Sequence, residues 1–191
     1  MNIDLVFSLY QRPQTVFSMS ELAQLFPDLS AKSLKNRLHY LSKTGKLIKP
    51  HHGIYAKPKY EPLELANKLY KPSYISLETV LAKAGVVFQY YQTIFLTSYL
   101  TRLVTVNTHK FQYRRLPLEI LTNTQGINEQ NGYFIATLER AFLDAVYIYK
   151  NYHFDNLGVL NWEKLEAYKP IYQSQILVKR LNLYYKLYKQ K

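Results

Sequence analysis

The chain contains no cysteine. That absence removes disulfides, thiolate metal sites and cysteine nucleophiles together. Glycine is scarce, with 6 in 191 residues, and there is no phosphate-cradling glycine loop, GxSxG elbow or HExxH motif. No apolar run approaches the roughly 18 to 20 residues that a membrane span requires. The opening MNIDLVFSLYQRP has an acid at position 4 and no basic n-region, so it does not read as a signal peptide. Carboxylates are also in short supply, 13 Asp and Glu against 25 Lys and Arg. A nuclease would need clustered Asp and Glu for Mg²⁺. Here Glu163 and Glu166, around Trp162, are ordinary helix-surface residues. These absences lead us to expect a cytoplasmic protein that is not an enzyme and has no metal, no cofactor and no membrane partner.

What is present is positive charge and a core. Hydrophobic residues make up 48% of the chain, enough for a globular protein, and the net charge is +12. Such a balance points to a polyanionic partner. Its distribution says more than its total. Residues 1–59 carry nine Lys/Arg and three Asp/Glu, and residues 60–167 carry ten of each. Residues 168–191 carry six Lys/Arg and no acid. A neutral body with two basic ends implies two anion-facing surfaces.

The apolar spacing from Asn2 to Tyr10 predicts a short buried helix, followed by a β-prone break at QTVFSMS. A second helix is expected with Ser20 as N-cap, Leu22, Ala23, Leu25 and Phe26 inward, and Pro27 as its stop. Ser30 should cap a third, AKSLKNRLHYLSKTG, with Leu34, Leu38 and Leu41 on one stripe and Gly45 at its end. Opposite that stripe fall Lys32, Asn36, His39 and Lys43, flanked by Ser33, Lys35 and Tyr40, with Arg37 nearer the buried edge. From Ser30 to Lys59 there are eight basic residues and no acidic one. A solvated helix normally mixes signs, because i,i+4 opposite-charge pairs stabilise it slightly. An acid-free face of Lys, Asn, Ser, His and Tyr suits phosphate and base-edge contacts; the plain alternative is a solvated face.

Next comes LIKPHHGIYAKP, read as two short strands, Lys46–Lys49 and Ile54–Lys57, joined by His51, His52 and Gly53. Leu47 and Tyr55 should turn inward, and Gly53 suits the left-handed position of a tight hairpin. Adjacent strand residues point to opposite faces, so His51 and His52 are poorly placed to share a metal ion, which needs three or four ligands. The order helix, helix, basic helix, basic hairpin is that of a winged helix-turn-helix, in which the third helix enters the major groove and the hairpin touches flanking backbone. Lys32, Ser33, Lys35, Asn36, His39, Tyr40, Lys43, Lys49, His51, His52 and Lys57 are therefore the candidate DNA-binding residues.

A Pro-containing junction, KPKYEP, divides an N-terminal domain, 1–59, from a C-terminal one, 60–191. The second should begin with a helix at PLELANKLY, an extended segment, and a helix capped by Ser76 with Leu77, Val80 and Leu81 buried and Gly85 at its stop. TIFLTSY, RLVTVN and HKFQYRRL predict strands, TNTQGINEQNG a polar loop, and YFIATLERAFLDAVYIYKN a strand leading into a helix capped by Thr137. On that helix Ala141, Phe142, Ala145 and Val146 should face inward, and Arg140 with Asp144 can form a structural i,i+4 pair. The last helix places Leu177, Leu181, Tyr184 and Tyr188 on its buried stripe and Lys179, Arg180, Lys186 and Lys189 off it. The fold class expected is α+β, a winged helix-turn-helix followed by a mixed domain with a small sheet.

Three segments, GIYAKP, PLELANKLYKPSYISLETVLAKAGVV and GYFIATLERAFLDAVYI, make the chain resemble the AbiEi family of antitoxins from bacterial abortive-infection (type IV toxin–antitoxin) operons. The resemblance covers about Ser20 to Tyr149. It implies a bifunctional protein without catalytic activity. The winged helix would bind inverted repeats in double-stranded operator DNA and repress its own operon. The C-terminal domain would neutralise a nucleotidyltransferase-like toxin, directly or indirectly, which makes Lys179, Arg180, Lys186 and Lys189 a candidate antitoxin surface. The rival readings are a pure interaction module that neutralises a toxin and whose basic faces bind protein or RNA rather than operator DNA, and an enzymatic one, a small nuclease or transferase accessory, which the missing acidic cluster disfavours.

Overall fold

The structure is a computed structural model, and residues 5–190 are described. It is mixed α+β, as expected. The first helix, α1, runs Leu5–Tyr10 and buries Leu5 and Leu9; Asn2, Ile3 and Asp4 of the expected helix lie outside the described residues. Strand β1 (Val16–Ser18) leads directly into α2 (Met19–Leu25). Its N-cap is Ser18, not Ser20: the Ser18 hydroxyl accepts from the Glu21 N–H, and the Glu21 carboxylate accepts from the Ser18 N–H. This S-x-x-E capping box satisfies two orphan backbone donors at once, which Ser20 could not do. Leu22 and Phe26 are buried, whereas Ala23 is exposed, a second departure from expectation.

Helix α3 (Ala31–Lys43) starts at Ser30, whose hydroxyl accepts from the Ser33 N–H. It buries Leu34, Leu38 and Leu41, each contributing roughly 1.5 to 3 kcal/mol of transfer free energy. Gly45, with φ of 72°, takes the left-handed position just past its end. The hairpin follows as β2 (Ile48–His51) and β3 (Ile54–Ala56), with β2 two residues later at both ends than the sequence suggested. His51 therefore belongs to the strand, opposite Ile54, and His52 with Gly53 forms the turn.

Strand β3 pairs with both β1 and β2, giving a three-stranded sheet in the order β1-β3-β2. Alternation along it places Phe17 and Tyr55 in a cluster with Leu5, Leu9, Leu22, Phe26, Leu34, Leu38, Leu41 and Leu47. Val16, Ile54 and Ala56 point the other way, into the core of the following residues. Successive strand residues face opposite sides, so this small sheet is a wall shared by two cores.

The remainder opens with α4 (Pro62–Leu69), β4 (Ser73–Ile75) and α5 (Glu78–Lys83). Ser76 does not cap α5. The N-cap is Leu77, held at φ 56° and ψ −138° with no side-chain cap, while the Ser76 hydroxyl donates to Asp144 at 2.7 Å. The interior anchors on either side of Leu77, Ser76 on Asp144 and the Thr79 hydroxyl accepting from the Phe95 N–H, hold this strained residue in place. Strands β5 (Thr93–Ser98), β6 (Arg102–Val106) and β7 (His109–Arg115) fall where the aromatic and β-branched runs predicted. After α6 (Leu118–Leu121), the segment read as a polar loop contains β8 (Ile127–Gln130), which pairs with β9 (Tyr133–Ala136) across the turn at Asn131 and Gly132. The six-stranded sheet has the order β6-β7-β5-β4-β9-β8.

Helix α7 (Leu138–Ile148) is capped by Thr137 and carries Ala141, Phe142, Ala145 and Val146 into the core, as expected. Helix α8 (Trp162–Tyr168), a 3-10 turn at Lys169–Tyr172 and α9 (Gln175–Lys189) complete the chain. Arg140 and Asp144 pair at 3.5 Å with both side chains fully buried. Asp144 accepts from Tyr74, Ser76 and Tyr172, and the guanidinium donates to the carbonyls of Ile120 and Gln125. Burial pushes the Asp144 carboxyl up, against the pull of Arg140 and its three hydroxyl donors. Among the described residues no helix is long and apolar enough to cross a membrane.

Candidate nucleic-acid interface

The leucine stripe of α3 decides which of its residues meet solvent. With Leu34, Leu38 and Leu41 packed inward, Lys32, Lys35, Asn36, His39, Tyr40 and Lys43 are all exposed, Tyr40 at 62%. Ser33 and Arg37 are half-buried at the margins. Among the described residues none of these cations is in an ion pair. Their hydrogen-bonding groups are thus left to solvent or to a ligand.

The hairpin adds Lys49, His51 and His52, also exposed. Its base is fixed by Leu47, buried under α3, and by Tyr55, whose ring lies 5.9 Å from the Lys49 ammonium. The Tyr10 hydroxyl further pins the strand by donating to the Lys46 carbonyl at 2.8 Å. His51 Nδ1 lies 3.3 Å from the His52 carbonyl oxygen. Among the described residues no three His, Asp or Glu side chains are grouped to hold a metal ion.

Lys57 does not join this surface. Its ammonium donates to the Arg12 carbonyl at 2.6 Å and lies over the Tyr10 ring at 5.6 Å. Burial lowers its pKa, with Glu64 pulling the other way. Position in the hairpin explains this: Lys57 follows Ala56 at the open end, beside the start of β1, far from the turn at His52 and Gly53.

Arg180 is likewise committed elsewhere. Its Nη1 donates to the carbonyls of Val146, Tyr147 and Tyr149 at 2.8 to 3.1 Å. It thereby satisfies acceptors at the C-terminus of α7, where helical carbonyls have no partner of their own and favour a cation. Lys179 and Lys186 are exposed. Lys189 sits over the rings of Tyr185 and Tyr188 at 5.5 and 5.7 Å.

A cluster that sequence reasoning missed joins α2 to α4. Lys68, only 6% exposed, lies 3.1 Å from Glu21 and 3.2 Å from the fully buried Glu64, and it also donates to the Val16 carbonyl. Lys71 pairs with Glu21 at 3.0 Å. The Thr15 N–H and hydroxyl donate to Glu64 Oε2 at 2.7 and 2.6 Å. A cleft of about 750 Å³ opens beside these residues, walled by Phe17, Leu25, Ile127 and Phe134. Its lysines are already neutralised by Glu21 and Glu64, which makes the cluster a clamp between the two cores. The i,i+4 spacing of Glu64 and Lys68 and the capping-box spacing of Ser18 and Glu21 were both visible in sequence; their meeting across 47 residues was not.

No protein-family model and no curated protein matches the chain.

Proposed function

We propose that the protein binds double-stranded DNA through α3 and the β2–β3 hairpin, as a winged helix-turn-helix spanning residues 1–59. It represses its own operon, and residues 60–191 act as an antitoxin against a nucleotidyltransferase-like toxin, in the manner of the AbiEi family that its sequence resembles. It works in the cytoplasm, without catalysis or cofactor. One observation carries the DNA half of this reading. The outward side of α3 and the tip of the adjoining hairpin present Lys32, Lys35, Lys43 and Lys49 with Asn36, His39, His51 and His52, exposed and without an acidic neighbour in the intervening sequence. Unpaired cations supply phosphate attraction, and Asn36, mid-helix between Lys32 and Tyr40, has the amide that reads adenine edges.

Retardation of the protein's own upstream DNA against a scrambled duplex tests it. Specific repression requires tighter binding to the former, and Asn36→Ala should weaken that binding by about 1 to 3 kcal/mol while leaving the scrambled duplex unaffected. Equal affinity of the native protein for both duplexes refutes the operator reading.

A further inference from the structure

Helix α9 carries two apolar stripes, and the body covers one of them. Leu177 and Leu181 are buried, and Tyr184 is tied down by donating to the Tyr152 carbonyl at 2.7 Å. Ile176, Leu183 and Leu187 stand out at 62%, 62% and 52% exposure. At about 100° per residue these three lie within about 40° of one another, and they span roughly 16 Å along the axis. Their spacing is that of a seam built to receive another helix. Lys179 and Lys186, both exposed, run along one margin of this seam. Arg180 closes the other margin with its guanidinium fixed on the end of α7.

We infer that this outward face of α9 is a docking surface for a partner helix whose apolar stripe is flanked by carboxylates. The inference rests on the antitoxin reading of the C-terminal domain and gives its partner a chemistry; it is independent of the DNA-binding reading. Charge decides the occupant. Residues 168–191 contain six Lys/Arg and no acid. A second copy of α9, parallel or antiparallel, would therefore bring lysine against lysine with nothing to neutralise it. An acidic helix places carboxylates on Lys179 and Lys186 while its apolar side chains cover Ile176, Leu183 and Leu187. A membrane surface fits less well. The seam is three residues long and narrow, because Leu177, Leu181, Tyr184 and Tyr188 pack on the core and Tyr185 lies against Trp162 on the far side of the helix, whereas a helix lying in an interface immerses a broad face.

The probe is a synthetic three-heptad peptide with leucine at the core positions and glutamate on both flanks, beside a twin carrying lysine on the flanks. Anisotropy titration of the full chain should show the acidic peptide binding at least tenfold more tightly than its basic twin. Leu183→Asp and the pair Lys179→Glu with Lys186→Glu should each lower that affinity at least tenfold. These side chains are exposed, so the variants should melt at the native temperature. Equal binding of the two peptides, or binding indifferent to Leu183→Asp, overturns the proposal. So does retention on phosphatidylcholine–phosphatidylserine vesicles without preference between the peptides, which assigns the face to membranes. Sedimentation showing a dimer abolished by Leu183→Asp also overturns it and assigns the face to a second copy. If Leu183→Asp abolishes peptide binding but toxin-challenged cells are still rescued, the docking surface stands and its antitoxin role falls.

Discussion

Lys68→Met tests how the two cores are held together. The native ammonium is balanced by Glu21 at 3.1 Å and by Glu64 at 3.2 Å, and Glu64 has no solvent access. Thr15 satisfies Glu64 Oε2, but Oε1 has no hydrogen-bond donor and depends on the nearby charge. Methionine keeps the length and apolar stem while deleting the charge, which leaves the buried Glu64 carboxylate with only the more distant attraction of Lys57. Breaking a buried pair from one side costs about 3 to 5 kcal/mol, and the partly solvated Glu21 adds little. We therefore expect a loss of about 3 kcal/mol in urea denaturation followed by circular dichroism, and a melting temperature lower by about 6 to 12 °C. Glu64→Gln in the same chain should recover part of the loss, because a neutral amide needs no counter-charge; the double-mutant cycle should show coupling above about 1 kcal/mol. A loss under about 1 kcal/mol from Lys68→Met alone, or strict additivity, refutes an electrostatic clamp.

Three further outcomes follow from the same geometry. Burial pushes the Glu21 carboxyl up, but the Ser18 N–H, Lys71 and Lys68 overcome this and hold it at about 2, below the ordinary 4.5. Its stabilisation is therefore complete above pH 4.5 and drains away as pH falls toward 2; Glu21→Gln should cost about 1 kcal/mol at neutral pH, after discounting for solvent screening, and nothing at pH 2 in acid-unfolding curves. Lys49→Ala should lower the slope of log affinity for DNA against log salt by about 1, whereas Lys57→Met should leave that slope alone and lower the melting temperature. Arg180→Met should destabilise the fold by about 2 kcal/mol through the freed carbonyls at the end of α7, with DNA retardation unchanged; a variant as stable as the native chain would return Arg180 to the free surface cations.

Local features of the fold are legible in the chain itself. The leucine spacing of α3, its Ser30 cap and Gly45 stop, the Thr137 cap of α7, and the three aromatic, β-branched strands of the sheet all depend on neighbours within a few residues. The exposed face of α3 is legible for the same reason, since the buried stripe of a helix sets its opposite side. Local rules fail where a distant group competes for a side chain. Ser76 looks like a helix cap until Asp144, 68 residues away, takes its hydroxyl. Residues 127–130 look like a polar loop because this edge strand exposes Asn128, Glu129 and Gln130 and buries nothing fully, and only pairing with β9 orders them.

Composition and short-range periodicity alone carry the α+β class, the acid-free character of residues 30–59 and the second concentration of cations after residue 168, because none of the three needs a distant partner to be expressed. Which cations are free is a property of the folded chain only. Lys57 and Arg180 carry the same charge in sequence as Lys49 and Lys186, but backbone carbonyls brought close by the fold bind the first two and leave the others to solvent. Folding likewise assigns Val16, Ile54 and Ala56 to one core and Phe17 and Tyr55 to another. That division exists only once β1 and β3 have paired and something is packed against each face of the sheet.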